Sequence, residues 1–175
     1  QEGNEVLEEV TRNSVETLKQ IIDLLLDKNV DYKECEDALL IFEVKVNNGK
    51  TVEKLLKNGA EVNVLIRDEF PLYIAAKNNS IEIMKLLINH GAYINGANNQ
   101  GETPLYIAVV NNALEATKLL IEKRANLNIE TENSFLTPLM VAINSENEER
   151  SKELIKLLIE NGADVNYKIS DEYLD

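Results

Sequence analysis

This 175-residue sequence predicts an all-α solenoid of stacked helix-turn-helix units joined by hairpin-like finger loops, because two blocks recur along it in fixed order. The first closes each unit. It reads Leu55-Leu56-Lys57-Asn58-Gly59-Ala60-Glu61-Val62-Asn63 and returns as Leu86-Leu87-Ile88-Asn89-His90-Gly91-Ala92-Tyr93-Ile94-Asn95. Two further copies are Leu119-Leu120-Ile121-Glu122-Lys123-Arg124-Ala125-Asn126-Leu127-Asn128 and Leu157-Leu158-Ile159-Glu160-Asn161-Gly162-Ala163-Asp164-Val165-Asn166. Their final asparagines are 32, 33 and 38 residues apart, a constant period with small insertions. The second block keeps pace upstream: Phe70-Pro71-Leu72-Tyr73-Ile74-Ala75-Ala76, Thr103-Pro104-Leu105-Tyr106-Ile107-Ala108-Val109 and Thr137-Pro138-Leu139-Met140-Val141-Ala142-Ile143. All three prolines of the chain stand at this one register.

Each block has a physical role. Proline lacks an amide hydrogen and fixes φ, so it suits the first turn of a helix, with Thr103 or Thr137 before it as the N-cap acceptor. The alanines that follow let a neighbouring helix approach closely, so the first helix of each unit, helix A, is short. Asn78-Asn79, Asn111-Asn112 and Asn144-Ser145 end it, since asparagine tolerates left-handed geometry and competes for backbone hydrogen bonds. Ile81, Ile83, Met84, Leu86 and Leu87, and then Leu114, Ala116, Leu119 and Leu120, form the apolar stripe of an amphipathic second helix, helix B. Gly59, Gly91 and Gly162 stand where helix B must end in the left-handed region. A pair of helices with apolar surface on both flanks cannot bury it alone. Stacking removes that surface from water at about 25 cal/mol per Å².

Taken together, these blocks resemble the ankyrin repeat family, whose pattern has a Thr-Pro-Leu-His-x-Ala-Ala helix start, a Leu-Leu helix end and a Gly-Ala-Asp-Val-Asn exit. The resemblance covers about residues 37–166. Three departures stand out. Tyr73, Tyr106 and Met140 replace the family's histidine. Arg124 replaces a helix-ending glycine, so either a non-glycine residue holds positive φ there or that helix ends differently. Residues 37–58 form a degraded copy whose first helix starts at Asp37-Ala38-Leu39 or at Leu39-Leu40-Ile41. The expected organisation is a divergent, capping helix pair over 1–36, a degenerate repeat over 37–68, repeats over 69–101 and 102–135, and a last repeat over 136–175. The first pair comprises helices at about 4–12 and 14–28 and an exit at 28–31. The last repeat has an inter-helix insertion holding Glu146, Glu148 and Glu149, then the start of a further finger after Asn166, which suggests an excerpt of a longer array.

Charge narrows the function. Eighteen Lys and Arg face 31 Asp and Glu, a net charge of −13, which opposes nucleic acid and anionic membrane as partners. Residues 1–37 carry −7 and residues 146–175 carry −5, leaving the middle almost neutral. Acidic ends either keep the protein soluble or steer a basic partner onto the centre. Twenty-two asparagines and 16 isoleucines suit an AT-rich coding sequence, as in a low-GC bacterium, a protozoan or a virus. A lone Cys35 and a lone His90 offer neither a disulfide nor a metal cluster, and no phosphate-binding glycine loop or Cys-x-x-Cys occurs. No catalytic constellation, cofactor or metal is expected. Asn78-Asn79-Ser80 matches a glycosylation pattern by chance, inside an inter-helix turn.

The family resemblance implies a non-catalytic protein-protein interaction scaffold, monomeric and cytoplasmic, that binds a protein partner through finger tips and the concave helix A face. The alternative is the recognition segment of a larger enzyme, or a host-directed bacterial effector working in host cytoplasm. By position, the contact residues are Ile66, Arg67 and Glu69 in the first finger, Asn99, Gln100 and Glu102 in the second, and Glu132, Asn133 and Phe135 in the third. Lys77 and Val110 follow late in helix A. Ile66 and Phe135 are either apolar anchors or fold back onto their own unit. Tyr73 and Tyr106 either pack between repeats with satisfied hydroxyls or contact the partner.

Overall fold

The computed structural model describes residues 32–132, 134–145 and 148–166, except the side chains of 32–35 and 148–150. The predicted helices at 4–12 and 14–28, the exit at 28–31, and residues Asn133 and Glu146 lie outside the described residues. The chain divides into two units, 1–36 and 37–175, and the second holds the stacked repeats. The described residues contain eight helices and no strand: α1 (Tyr32–Lys45), α2 (Gly49–Lys57), α3 (Pro71–Lys77), α4 (Ile81–Asn89), α5 (Pro104–Val110), α6 (Leu114–Glu122), α7 (Pro138–Ile143) and α8 (Glu148–Glu160).

Proline sets the first helix of each later unit. Pro71, Pro104 and Pro138 each open a helix, and Thr103 and Thr137 accept from the backbone N–H of Tyr106 and Met140 at 3.2 and 3.3 Å. Phe70 stands at the equivalent place without a capping side chain, so α3 starts on proline alone. Asn79 and Asn112 hold φ of 53° and 52°, and the N–H groups of Ser80 and Ala113 reach back to the carbonyls of Ala75 and Ala108. That closure turns the chain into helix B. The same closure ends helix B at Gly59, Gly91 and Gly162, and Arg124 holds it at φ 62°. Of the two alternatives for Arg124, a non-glycine residue at positive φ is the one observed.

The helices stack in two rows. Helices α3, α5 and α7 pack side by side in one, and α2, α4, α6 and α8 in the other; within each unit α3 packs on α4, α5 on α6 and α7 on α8. Leu40, Val52, Leu72, Met84, Leu87, Leu105, Leu120, Leu154 and Leu158 fill the shared core. Each such buried side chain stabilises the stack by about 1.5–3 kcal/mol relative to exposure. A polar ladder runs beside it. Asn63, Asn95 and Asn128 accept through Oδ1 from the backbone N–H of Tyr93, Asn126 and Asp164 in the following unit at 2.8, 2.8 and 2.9 Å, and within the 37–68 repeat Asp37 Oδ1 accepts from Glu61 N–H at 2.7 Å. Three of the four closing asparagines, Asn63, Asn95 and Asn128, thus bond the next unit.

Two expectations fail. The helix of the degraded copy begins at Tyr32, upstream of both proposed starts, because no proline or threonine cap marks a start at 37 or 39 and its residues favour continuation. Glu148 and Glu149 do not lie in a loop. They open α8, which at 13 residues is longer than the nine-residue α4 and α6, so the insertion is partly absorbed as helix with acids in its first turn. The extension has a consequence one unit upstream. Asn79 Oδ1 accepts from Ala116 N–H in the open first turn of α6 at 2.9 Å. The counterpart of Ala116 is Leu154, which lies inside α8, where N–H groups bond to the preceding turn. Asn112 Oδ1 is buried and makes no hydrogen bond among the described residues.

Candidate protein-binding surface

The three fingers are built by different chemistry and tied in register. In the first, Ile66 and Glu69 exchange backbone hydrogen bonds at 3.2 and 3.1 Å, while Arg67 and Asp68 hold φ of 50° and 66°, the backbone of a tight two-residue hairpin turn. Lys45 pairs with Glu69 at 2.5 Å. In the second, Asn98 Oδ1 accepts from the N–H of both Gln100 and Glu102, and Gly101 turns the chain at φ 77°. In the third, Thr131 bonds Leu136 through backbone and side chain, and Phe135 takes φ 51°. Asp68 Oδ1 accepts from Asn99 N–H at 2.8 Å, and Gln100 carbonyl accepts from Glu132 N–H at 2.9 Å. These two bonds join first finger to second and second to third.

The expected contact residues separate by burial. Arg67, Asn99, Gln100, Glu132, Lys77 and Val110 are exposed, together with Leu65, Ser134 and Asn111. Ile66 is half-buried against the core and Phe135 is half-buried, so neither projects as a free apolar tip; Leu65 does. Tyr73 and Tyr106 are only 6% and 9% exposed, so both rings are largely buried rather than projecting from the surface. The Tyr73 hydroxyl donates to Glu102 Oε2 at 2.8 Å, and Asn98 Nδ2 donates to the same oxygen at 2.9 Å. Burial pushes the Tyr73 hydroxyl well above its usual range, reinforced by the bond to Glu102 and by the negative charges of Glu102, Glu69 and Asp68. Tyr106 is raised by burial and then by Glu102.

Glu102 and Glu69 are half-buried and serve their neighbours first. Between the second and third fingers, Gln100, Glu102, Tyr106, Thr131 and Ser134 line an open polar cavity of about 270 Å³. Sequence reasoning missed Thr131, whose hydroxyl function depends on a loop it closes itself. It also missed Tyr93, an exposed aromatic where the other three copies carry Glu61, Asn126 and Asp164; that contrast was the available signal. His90 caps α4, its Nδ1–H donating to Leu86 carbonyl at 2.9 Å. Among the described residues no group of three or more His, Cys, Asp or Glu could hold a metal, and no helix is long and apolar enough to cross a membrane.

Comparison with known families matches this geometry. A family model described as ankyrin repeats (3 copies) covers residues 39–133, and one described as ankyrin repeat covers 135–170. The chain belongs to the ankyrin repeat family. It is similar to two ankyrin repeat proteins of fowlpox virus (strain NVSL). One is 33% identical over 145 residues, covering 81% of this chain and 41% of the relative. The other is 40% identical over 79 residues, covering 43% of this chain and 18% of the relative. The chain thus spans less than half the length of either relative. Ankyrin repeats are protein-protein interaction modules, a class that is generally non-catalytic.

Proposed function

We propose that this chain is a non-catalytic scaffold that binds one protein partner through its three finger tips and the exposed end of the helix A row. One observation carries the reading: the fingers are locked to one another by the Asp68–Asn99 and Gln100–Glu132 bonds while Leu65, Arg67, Asn99, Glu132 and Ser134 stay exposed at their tips. A surface ordered before binding loses little conformational entropy when a partner arrives. Lys77 and Val110 extend it along α3 and α5.

The test is capture from cell lysate with the chain and with a Leu65→Ala, Arg67→Ala, Val110→Ala variant that keeps the parent's circular dichroism. A protein held by the parent and lost from the variant is the expected result. A protein held equally by both places the contact elsewhere and ends this reading. The chain's coverage of only 41% and 18% of its relatives favours a second role, as the recognition segment of a longer protein. Those relatives are viral, so the proposed setting is the cytoplasm of an infected cell, in place of a bacterial effector's host. A fluorescent fusion found outside the cytoplasm would overturn it.

A further inference from the structure

Tyr73 meets the residue just before the next Thr-Pro step, and the residue at that position changes along the chain. Tyr73 donates to Glu102, which precedes Thr103-Pro104. For Tyr106 the equivalent position, before Thr137-Pro138, is Leu136, whose side chain has no acceptor to offer. The Tyr106 hydroxyl makes no hydrogen bond among the described residues, although the residue is buried and lines the cavity between the second and third fingers. Glu102 lines the same cavity. Its Oε2 is taken by Tyr73 and Asn98, whereas its Oε1 makes no hydrogen bond among the described residues. The remaining lining, Gln100, Thr131 and Ser134, is rich in oxygen acceptors.

We propose that this cavity accepts a basic side chain of the protein partner, an arginine or lysine whose charge pairs with Glu102 Oε1 and whose N–H groups donate to Tyr106, Gln100 and Ser134. Three features select that occupant. Among the described residues the only full charge lining the cavity is negative, and the carboxylate is held in place by two donors of the protein itself. At about 270 Å³ the space suits one side chain rather than a drug-sized ligand, which takes some 300–1,000 Å³. The surrounding fingers carry Asp68, Glu102, Glu130 and Glu132 against Arg67, with Glu69 paired to Lys45, so the field favours a cation. Burial and the Glu102 charge both keep the Tyr106 hydroxyl protonated, which leaves its oxygen neutral toward an approaching cation.

This inference rests on the scaffold reading and is tested separately, with a small probe in place of the partner. Isotope-labelled chain is titrated with Nα-acetyl-arginine amide and Nα-acetyl-lysine amide, with the neutral isostere Nα-acetyl-citrulline amide as control. The expected result is saturable shifts of the Gln100, Glu102, Tyr106 and Ser134 amide signals with either cation and none with citrulline. Glu102→Gln keeps an acceptor for Tyr73 and Asn98 but loses the charge, and it should weaken the cation about tenfold. Tyr106→Phe removes a hydroxyl that makes no hydrogen bond among the described residues, should leave the fold intact and should weaken the cation less. Shifts spread over the whole surface, equal shifts with citrulline, or an unchanged affinity in Glu102→Gln overturn the proposal. If the probe fails while the finger-tip variant still loses its captured protein, only the cavity assignment falls. If the probe binds and capture ignores the fingers, the scaffold reading falls.

Discussion

The Tyr73 hydroxyl donates to Glu102 Oε2 at 2.8 Å across 29 residues of sequence, so the buried end of α3 is fastened to the finger of the following unit. Burial of that hydroxyl, reinforced by this bond, makes the fold sensitive to alkali. The raised Tyr73 hydroxyl keeps its proton in the folded chain at pH values where the unfolded chain loses it, from an ordinary value of 10.0. The folded state then binds more protons, so stability is fully present below about pH 10 and is lost as pH rises further. Tyr106, also raised, acts in the same direction. Urea titrations at pH 8 to 11 should show that fall, and a Tyr73→Phe chain should lose about 1 kcal/mol at neutral pH and fall less steeply above pH 10. Identical slopes in the two chains would remove Tyr73 as the cause.

Gly101 fixes how closely the second and third fingers approach. A Cβ there would meet Glu132 N at 2.7 Å and Thr131 Cα at 3.1 Å, on a backbone with φ 77°. Gly101→Ala should therefore cost about 1–3 kcal/mol, part from the left-handed backbone and part from displaced neighbours. It should also break the bond from Glu132 N–H to Gln100 carbonyl. Thermal unfolding gives the first quantity, and hydrogen exchange at the Glu132 amide gives the second. Unchanged protection at Glu132 would show that the fingers tolerate the methyl group.

The repeats were legible in the sequence wherever the cause is local. Thr103, Thr137, Asn79, Asn112 and the helix-ending glycines act on the turn they sit in, so residue type predicts geometry. Arg124 marked the limit: its register demanded a left-handed residue, its type argued against one, and the stack decided in favour of the register. Two boundaries were not legible, the start of α1, where no proline breaks the pattern, and the start of α8, where inserted acids suit a loop and a first turn equally. In the candidate site, exposed tips followed from loop position. What Tyr73, Tyr106 and Glu102 do depends on the neighbouring unit, and no single unit's sequence carries that information.

Asn79 and Asn112 occupy the same register with opposite hydrogen-bonding outcomes. Both sit near φ 50°, so Gly substitution removes the side chain at either place without backbone strain. Asn79→Gly takes away the acceptor of Ala116 N–H and should cost about 1–2 kcal/mol. Asn112→Gly removes a buried oxygen that bonds nothing among the described residues, and it should be neutral or stabilising. Denaturant midpoints of the two variants measure the difference. Equal losses would mean that Asn112 has a partner in solution, such as bound water in the cleft it shares with Asn79, Leu114, Glu115 and Glu153.

Val109 and Ile143 stand at one register, five residues after the proline, yet Val109 is 1% exposed and Ile143 60%. In the following unit α7 packs on α5, the helix that carries Val109, whereas the described residues include no further unit beyond α7. Val165 repeats the contrast, being exposed where its counterpart Leu127 is buried. An aspartate at 109 would bury an unpaired carboxylate among apolar side chains, so Val109→Asp should cost more than about 3 kcal/mol and threaten folding. Ile143→Asp should change stability by less than about 0.5 kcal/mol, as an exposed surface substitution does. Urea unfolding of the two variants decides the matter at modest protein concentration. Comparable losses would show that Ile143 is covered in solution, and a concentration dependence would then tell a second copy from the chain's own residues 167–175.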